Sequence, residues 1–361
     1  MTNNTFAKKI GCVVLSLVLT GCIPTNIINE VSLMHNVGFD EEDEMLKASV
    51  VYPNYYSMSD NPALMTAVAK NPSSLLKELG HKSQFPFEIG QVRLIIFGDK
   101  LSRKGLAEVL DTLCKDPKIG ITRMVITNGS PDLILSKSLN ESPLFLMNLI
   151  DKSIENEGIP ESDLHVMFDQ YFGSGIDMFF PNLIVDSKGN IKVDGMGIFK
   201  GDKLVLKISD KETFLLKLMT DRNKRGVYSF NLNMNGHKGN IGVRTIDGEH
   251  KVTFIKENLR EQAKVSLNLD VELDALPEWI NLEKEKDLKF FKNALQKSIS
   301  NDAELLLKDF QKNGVDPLGL GRLYKVTHRN WTEKSFYERI YPNMAFDVNT
   351  NIVVRQTGVG K

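Results

Sequence analysis

Cysteine is scarce. Only Cys12, Cys22 and Cys114 occur among 361 residues, too few for a disulfide framework. Excess charge of either sign is missing as well: Lys and Arg total 45 against 46 Asp and Glu, a net charge of -1. No basic surplus is available to grip a nucleic acid backbone, and no basic run beyond the first residues reads as a patch for anionic lipid. The recognised catalytic patterns are absent too. Six histidines, at 35, 81, 165, 237, 250 and 328, are scattered without the i, i+4 spacing of a helical metal site. The runs "YFGSGIDMF" and "GLGRL" complete neither a dinucleotide fingerprint nor a Walker loop and read as turns. There is no G-x-S-x-G elbow and no S-x-x-K set with its partners. The acidic stretch Asp40 to Glu44 lacks the alternating ligands and glycine of a calcium loop, so it reads as a solvated hairpin tip. Asp270 and Glu272 share a strand face and read as surface charges. These absences leave no residue assigned to catalysis, a metal or a cofactor, and no nucleic acid partner is expected.

What is present begins at the N-terminus. Lys8 and Lys9 precede an uncharged run from Ile10 to Leu19, followed by the small residues Thr20 and Gly21 and then Cys22. Basic start, apolar middle and small-residue exit make a secretory signal, residues 1–21. The run is about half of the ~20 residues that span a hydrocarbon core, so it is not a permanent membrane helix. Leu19-Thr20-Gly21-Cys22 resembles the bacterial lipobox, whose cysteine sulfur receives a diacylglyceryl group; Cys22 is therefore the expected lipid anchor. Cys12 lies inside the leader. Cys114 then stands alone, in the amphipathic "LAEVLDTLC", as a small apolar side chain rather than a reactive thiol.

About 340 mature residues imply two or three domains. Residues 31–39 and 46–52 read as strands around the acidic tip, and "NPALMTAVAKNPSSLLKELG" as a helix interrupted by prolines. "QVRLIIFGDKL" is a buried strand feeding a helix over 103–115, "ITRMVITNG" is the next strand, and Ser130-Pro131 opens another helix. After Pro181 come three short strands, then Ser209 and Glu212 as a capping box before "TFLLKLM". From Val227 four alternating stretches predict an antiparallel meander. A helix over about 282–313 follows, with Leu288, Phe291, Leu295, Ile299, Leu306 and Phe310 along the stripe that faces the meander, and Asn313-Gly314 ends it. A shorter helix near 332–340 and a final strand, "FDVNTNIVVRQTG", complete a mixed α/β chain with helix-backed sheets. The expected division is an N-terminal α/β domain at 22–180, a small central βββα domain at 181–222, and a C-terminal domain at 223–361 pairing an antiparallel sheet with the long helix.

Several stretches resemble the Ger(x)C family, the C-subunit lipoproteins of spore germinant receptors. They are Ile28-Asn29-Glu30 after Cys22, "VRLIIFGDKLSRKGLAEVLDTLCKDP", "VDGMGIFKGDKLVLKISDKET", "DPLGLGRLYKVTHRNW" and "NIVVRQTG", in the family's order. The Trp and charged residues that follow the lipid cysteine in that family are replaced here by Ile23-Pro24-Thr25. The resemblance implies three α/β domains in series on a lipoprotein at the outer face of the inner spore membrane. It also implies two integral-membrane partners, the A and B subunits, in nutrient-triggered germination. With the empty motif search, it points to a non-enzymatic assembly module. The alternative is a solute-binding lipoprotein that captures a nutrient itself, but two similar lobes around a cleft are not evident; a wall hydrolase lacks an acid/base pair.

Overall fold

The computed structural model describes residues 31–53, 62–116, 118–234, 236–257, 260–273, 277 and 279–357; the expected leader and the anchor Cys22 lie outside the described residues. A short strand β1 (Ser32–Leu33) precedes β2 (Asn36–Glu42) and β3 (Met45–Tyr52), which form the hairpin expected around the acidic tip. Asp43 and Glu44 connect them with φ of 49° and 63°, the positive pair that matches strand twist in a two-residue connection and leaves both carboxylates in water.

The next segment departs from expectation. Ala63–Ala69 is a strand, β4, paired antiparallel with β3, and helix α1 starts only at Pro72 (Pro72–Lys82), where the Asn71 side chain accepts from Ser74 N at 2.9 Å. Helix-favouring Ala, Leu and Met at 63–67 are outweighed by the open edge of β3, against which Ala67 and Ala69 become buried. After β5 (Phe87–Glu88), which pairs with β1, comes β6 (Leu94–Phe97), buried on both faces. The helix expected over 103–115 is two helices, α2 (Asp99–Lys104) and α3 (Ala107–Lys115), broken at Gly105 with φ 136°. The break has a tertiary cause: Asp202, from a distant turn, accepts from Ala107 N at 3.1 Å and so caps α3.

The chain continues through β7 (Arg123–Thr127), α4 (Pro131–Ser138), α5 (Phe145–Asn156), α6 (Leu164–Tyr171), β8 (Phe179–Val185), β9 (Ile191–Lys200), β10 (Lys203–Ile208) and α7 (Asp210–Thr220). The capping box on α7 forms, Ser209 and Glu212 each accepting the other's amide. One sheet gathers eight strands in the order β10-β9-β8-β7-β6-β2-β3-β4. Its centre, β2, β6, β7 and β8, is parallel, and both wings are antiparallel. Helices α1, α3 and α6 cover one face and α4, α5 and α7 the other. The segment expected as a central βββα unit has no sheet of its own: β8 hydrogen-bonds to β7 at Ile126↔Asn182 and Thr127↔Leu183, so its three strands extend the N-terminal sheet.

A second sheet, ordered β11-β12-β13-β14, holds β11 (Gly226–Met234), β12 (His237–Glu257), β13 (Arg260–Leu273) and β14 (Ala345–Thr357). Two expected strands fuse in the 21-residue β12, with a bulge between Thr245 and Asp247. The final strand joins parallel to β13, so three antiparallel strands carry a parallel fourth. Helix α8 (Glu285–Lys312) lies across one face, burying Phe291, Leu295, Ile299, Leu306 and Phe310 as the periodicity predicts, and Gly314 ends it with φ 68°. Between α8 and β14 run α9 (Leu320–Thr327), α10 (Glu333–Ser335), a π turn (Phe336–Ile340) and a 3₁₀ turn (Tyr341–Asn343).

Candidate functional site

The two glycine runs that read separately as turns, Gly173 and Gly175 in one and Gly319 and Gly321 in the other, meet at the joint between the sheets. Gly175, with φ 79°, donates its amide to Glu333 Oε1 at 2.9 Å and accepts from Arg322 N at 2.8 Å. A Cβ on Gly175 would stand 2.5 Å from Arg322 N and 2.6 Å from the Gly321 carbonyl carbon, so only glycine permits this approach. Asp177 and Asp316 exchange two further bonds, Asp177 N to Asp316 O at 3.0 Å and Asp316 N to Asp177 Oδ2 at 2.7 Å. Arg322 also reaches back to Asp169, pairing with its carboxylate and donating to its carbonyl.

Asp316 is the centre of this lock. It is 1% exposed, and its carboxylate accepts from Leu320 N at 2.9 Å, Gly321 N at 2.8 Å and Tyr337 Oη at 2.9 Å. The amides belong to the first turn of α9, whose positive end faces the carboxylate. Tyr337 is delivered by the π turn, a local widening that re-aims a side chain. Lys200, at the end of β9, donates to Asp177 Oδ2 at 3.1 Å and stands 4.3 Å from the centre of the Tyr337 ring. Burial pushes the Asp316 carboxyl up to about 6 despite its three donors, and burial raises Asp177 as well. Both Tyr337 and Tyr341 are pushed upward by burial and by the two carboxylates. Beside them a cleft of about 450 Å³ is lined by Gln170, Tyr171, Lys200, Glu333, Tyr337 and Glu338. Of its charged groups, Lys200 and Glu333 are already engaged by joint partners, and Asp316 faces N–H and O–H donors on both oxygens, an arrangement that holds structure together rather than moving a proton to a substrate.

The family assignment follows from both halves of this joint. Residues 24–185 match the model for the spore germination protein N-terminal domain, and 194–358 match the spore germination B3/GerAC-like C-terminal model. The chain is a Ger(x)C family protein. Spore germination protein GerQC of Bacillus cereus is 29% identical over 96% of this chain and 97% of its own. The putative spore germination protein YfkR of Bacillus subtilis (strain 168) is 18% identical over 98% and 97%. The crystal structure of the GerBC protein superimposes with a TM-score of 0.59 over 89% of this chain and 97% of that one, at 18% identity, which establishes a shared fold.

Of the residues singled out from sequence in this Ger(x)C chain, Cys22 lies outside the described residues. Cys114 is half-buried and burial raises its thiol, in keeping with a packing role. Among the described residues the histidines join no group that could hold a metal, and no helix is long and apolar enough to cross a membrane. Asp270 accepts from Arg355 on the outward sheet face, as a surface charge would. Pattern reading missed two buried cations. Lys217, inside α7, donates to the carbonyls of Ile154 and Ile159, and Lys224 donates to Leu218 O and lies 2.7 Å from His250 Nδ1. Burial brings Lys224 down to about 8 and, with Lys224 alongside, His250 down to about 4. They tie α7 to the α5–α6 connection and to β12.

The raised Asp316 carboxyl gives a signed pH dependence. The folded chain keeps a proton that an unfolded aspartate releases near pH 4, so this group's stabilisation is complete below about pH 4 and lost as pH rises through about 6. Urea unfolding across this window should show wild type losing about 3 kcal/mol relative to Asp316→Asn. Parallel pH profiles would contradict the burial argument.

Proposed function

We propose that the chain is the lipid-anchored C subunit of a nutrient germinant receptor, acting beside two integral-membrane subunits as a non-enzymatic assembly module. Ger(x)C membership across both halves carries the reading. The lipobox-like Leu19-Thr20-Gly21-Cys22 supports attachment through a diacylglyceryl group on Cys22, and two acyl chains hold a bilayer where one is marginal. Export places the body at the outer face of the inner spore membrane. The joint supports assembly over chemistry, because its carboxylates are saturated by donors; the engagement of Lys200 and Glu333 by joint residues favours the same reading over nutrient capture.

Replacing Cys22→Ala is expected to abolish labelled fatty-acid incorporation, release the chain from the spore membrane fraction and suppress nutrient germination, while germination by a receptor-independent agent persists. Wild-type protein that takes up no label, or mutant spores that answer nutrients normally, would refute the proposal.

A further inference from the structure

Helix α8 buries its apolar stripe on the second sheet, and its outward face is unlike the rest of this nearly neutral chain. Lys286, Lys289, Lys297, Lys308 and Lys312 are all exposed, at steps of three, eight, eleven and four that return to one side of a helix about 42 Å long. Three of the five acids of α8 are engaged by neighbouring groups, and the other two, Glu285 and Asp287, stand in its first turn, where the helix dipole favours acids. Glu304 accepts from Val348 N at 3.3 Å and pairs with Lys308, Asp302 accepts from Tyr228 Oη and pairs with Lys211, and Asp309 is held by Asn313. Among the described residues Lys286, Lys289, Lys297 and Lys312 have no ion-pair partner. Two apolar side chains share the outward side, Phe290 at 45% and Leu305 at 63% exposure.

We infer that this lysine ridge docks the C-terminal sheet and helix onto an anionic lipid surface, with α8 lying along the bilayer plane. A straight ridge of flexible ammonium groups with scattered apolar residues matches a field of lipid phosphates, whereas protein interfaces are depleted in lysine and favour arginine and aromatics. The lysines form no run in sequence and converge only through helical pitch, so no basic patch is visible in the sequence. The inference rests on the proposed membrane location only for the presence of a bilayer; the anchor attaches the chain, and α8 sets its orientation.

The test reconstitutes the full chain, purified from membranes, into vesicles of phosphatidylcholine alone or with added phosphatidylglycerol, each carrying a headgroup quencher. A fluorescent amino acid replaces exposed Asn301 on the ridge. Quenching is expected with anionic vesicles only. It should fall at about 1 M salt, where the screening length is about 3 Å. Combined Lys286→Gln, Lys289→Gln, Lys297→Gln and Lys312→Gln should weaken docking about fivefold per lysine, and arginine at the same positions should retain it. Equal quenching in both vesicles, none in either, or indifference to the glutamines overturns the inference. Shielding of the fluorophore that appears only when membrane proteins are added assigns the ridge to an acidic protein and overturns it as well. A chain left in the supernatant of both vesicles overturns the anchor and the ridge together, whereas one that sediments with both yet stays unquenched overturns the ridge alone.

Discussion

Gly175→Ala is expected to destabilise the protein by about 4 kcal/mol, enough to remove most folded chain at physiological temperature. Two effects combine. A non-glycine residue at φ 79° costs about 1 kcal/mol, and the new Cβ meets backbone atoms of Gly321 and Arg322 at 2.5–2.6 Å, where no side chain can swing aside. Gly314→Ala separates the two, because Gly314 has φ 68° but open space around its Cβ; it should cost only the conformational part. Urea midpoints of the two variants, measured together, decide the matter: equal losses would mean that the contact between the glycine runs is not tight.

Asp316→Ala should cost a similar amount, about 4 kcal/mol, because it strands two buried amides and the Tyr337 hydroxyl at once. Tyr337→Phe removes one donor and leaves the carboxylate with two, so about 1 kcal/mol is expected. Hydrogen exchange adds a positional readout. In Asp316→Ala the amides of Leu320 and Gly321 should lose protection ahead of the centre of either sheet, while uniform loss across the chain would show that Asp316 acts on global stability and not on the joint.

Much of the fold was legible because it rests on local physics. Ser130, Ser209 with Glu212, and Gly314 mark helix ends by satisfying terminal amides or accepting a left-handed turn, and the stripe of α8 reads directly as a core face. The failures have tertiary causes. Residues 63–69 carry helix formers but pair with β3, the expected 103–115 helix is split by Asp202, and β8–β10 join an earlier sheet. The joint was the least legible part: each glycine run is an ordinary turn until the other is laid against it. Lys217 and Lys224 were missed because a lysine reads as exposed whether it interrupts the apolar "TFLLKLM" or sits in the polar "TDRNKRG", while backbone carbonyls here take them fully inside.

The eight-stranded sheet has a practical consequence for dissecting this protein. The gap between the two family-matched regions, 186–193, falls at the hairpin linking β8 to β9, two strands hydrogen-bonded side by side in a single sheet. Cutting there would strip β8 of a neighbour and strand β9 and β10 on the other fragment, giving both pieces a raw, adhesive margin prone to clumping. A clean division has to fall later, beyond β10, where no ladder of backbone bonds is severed.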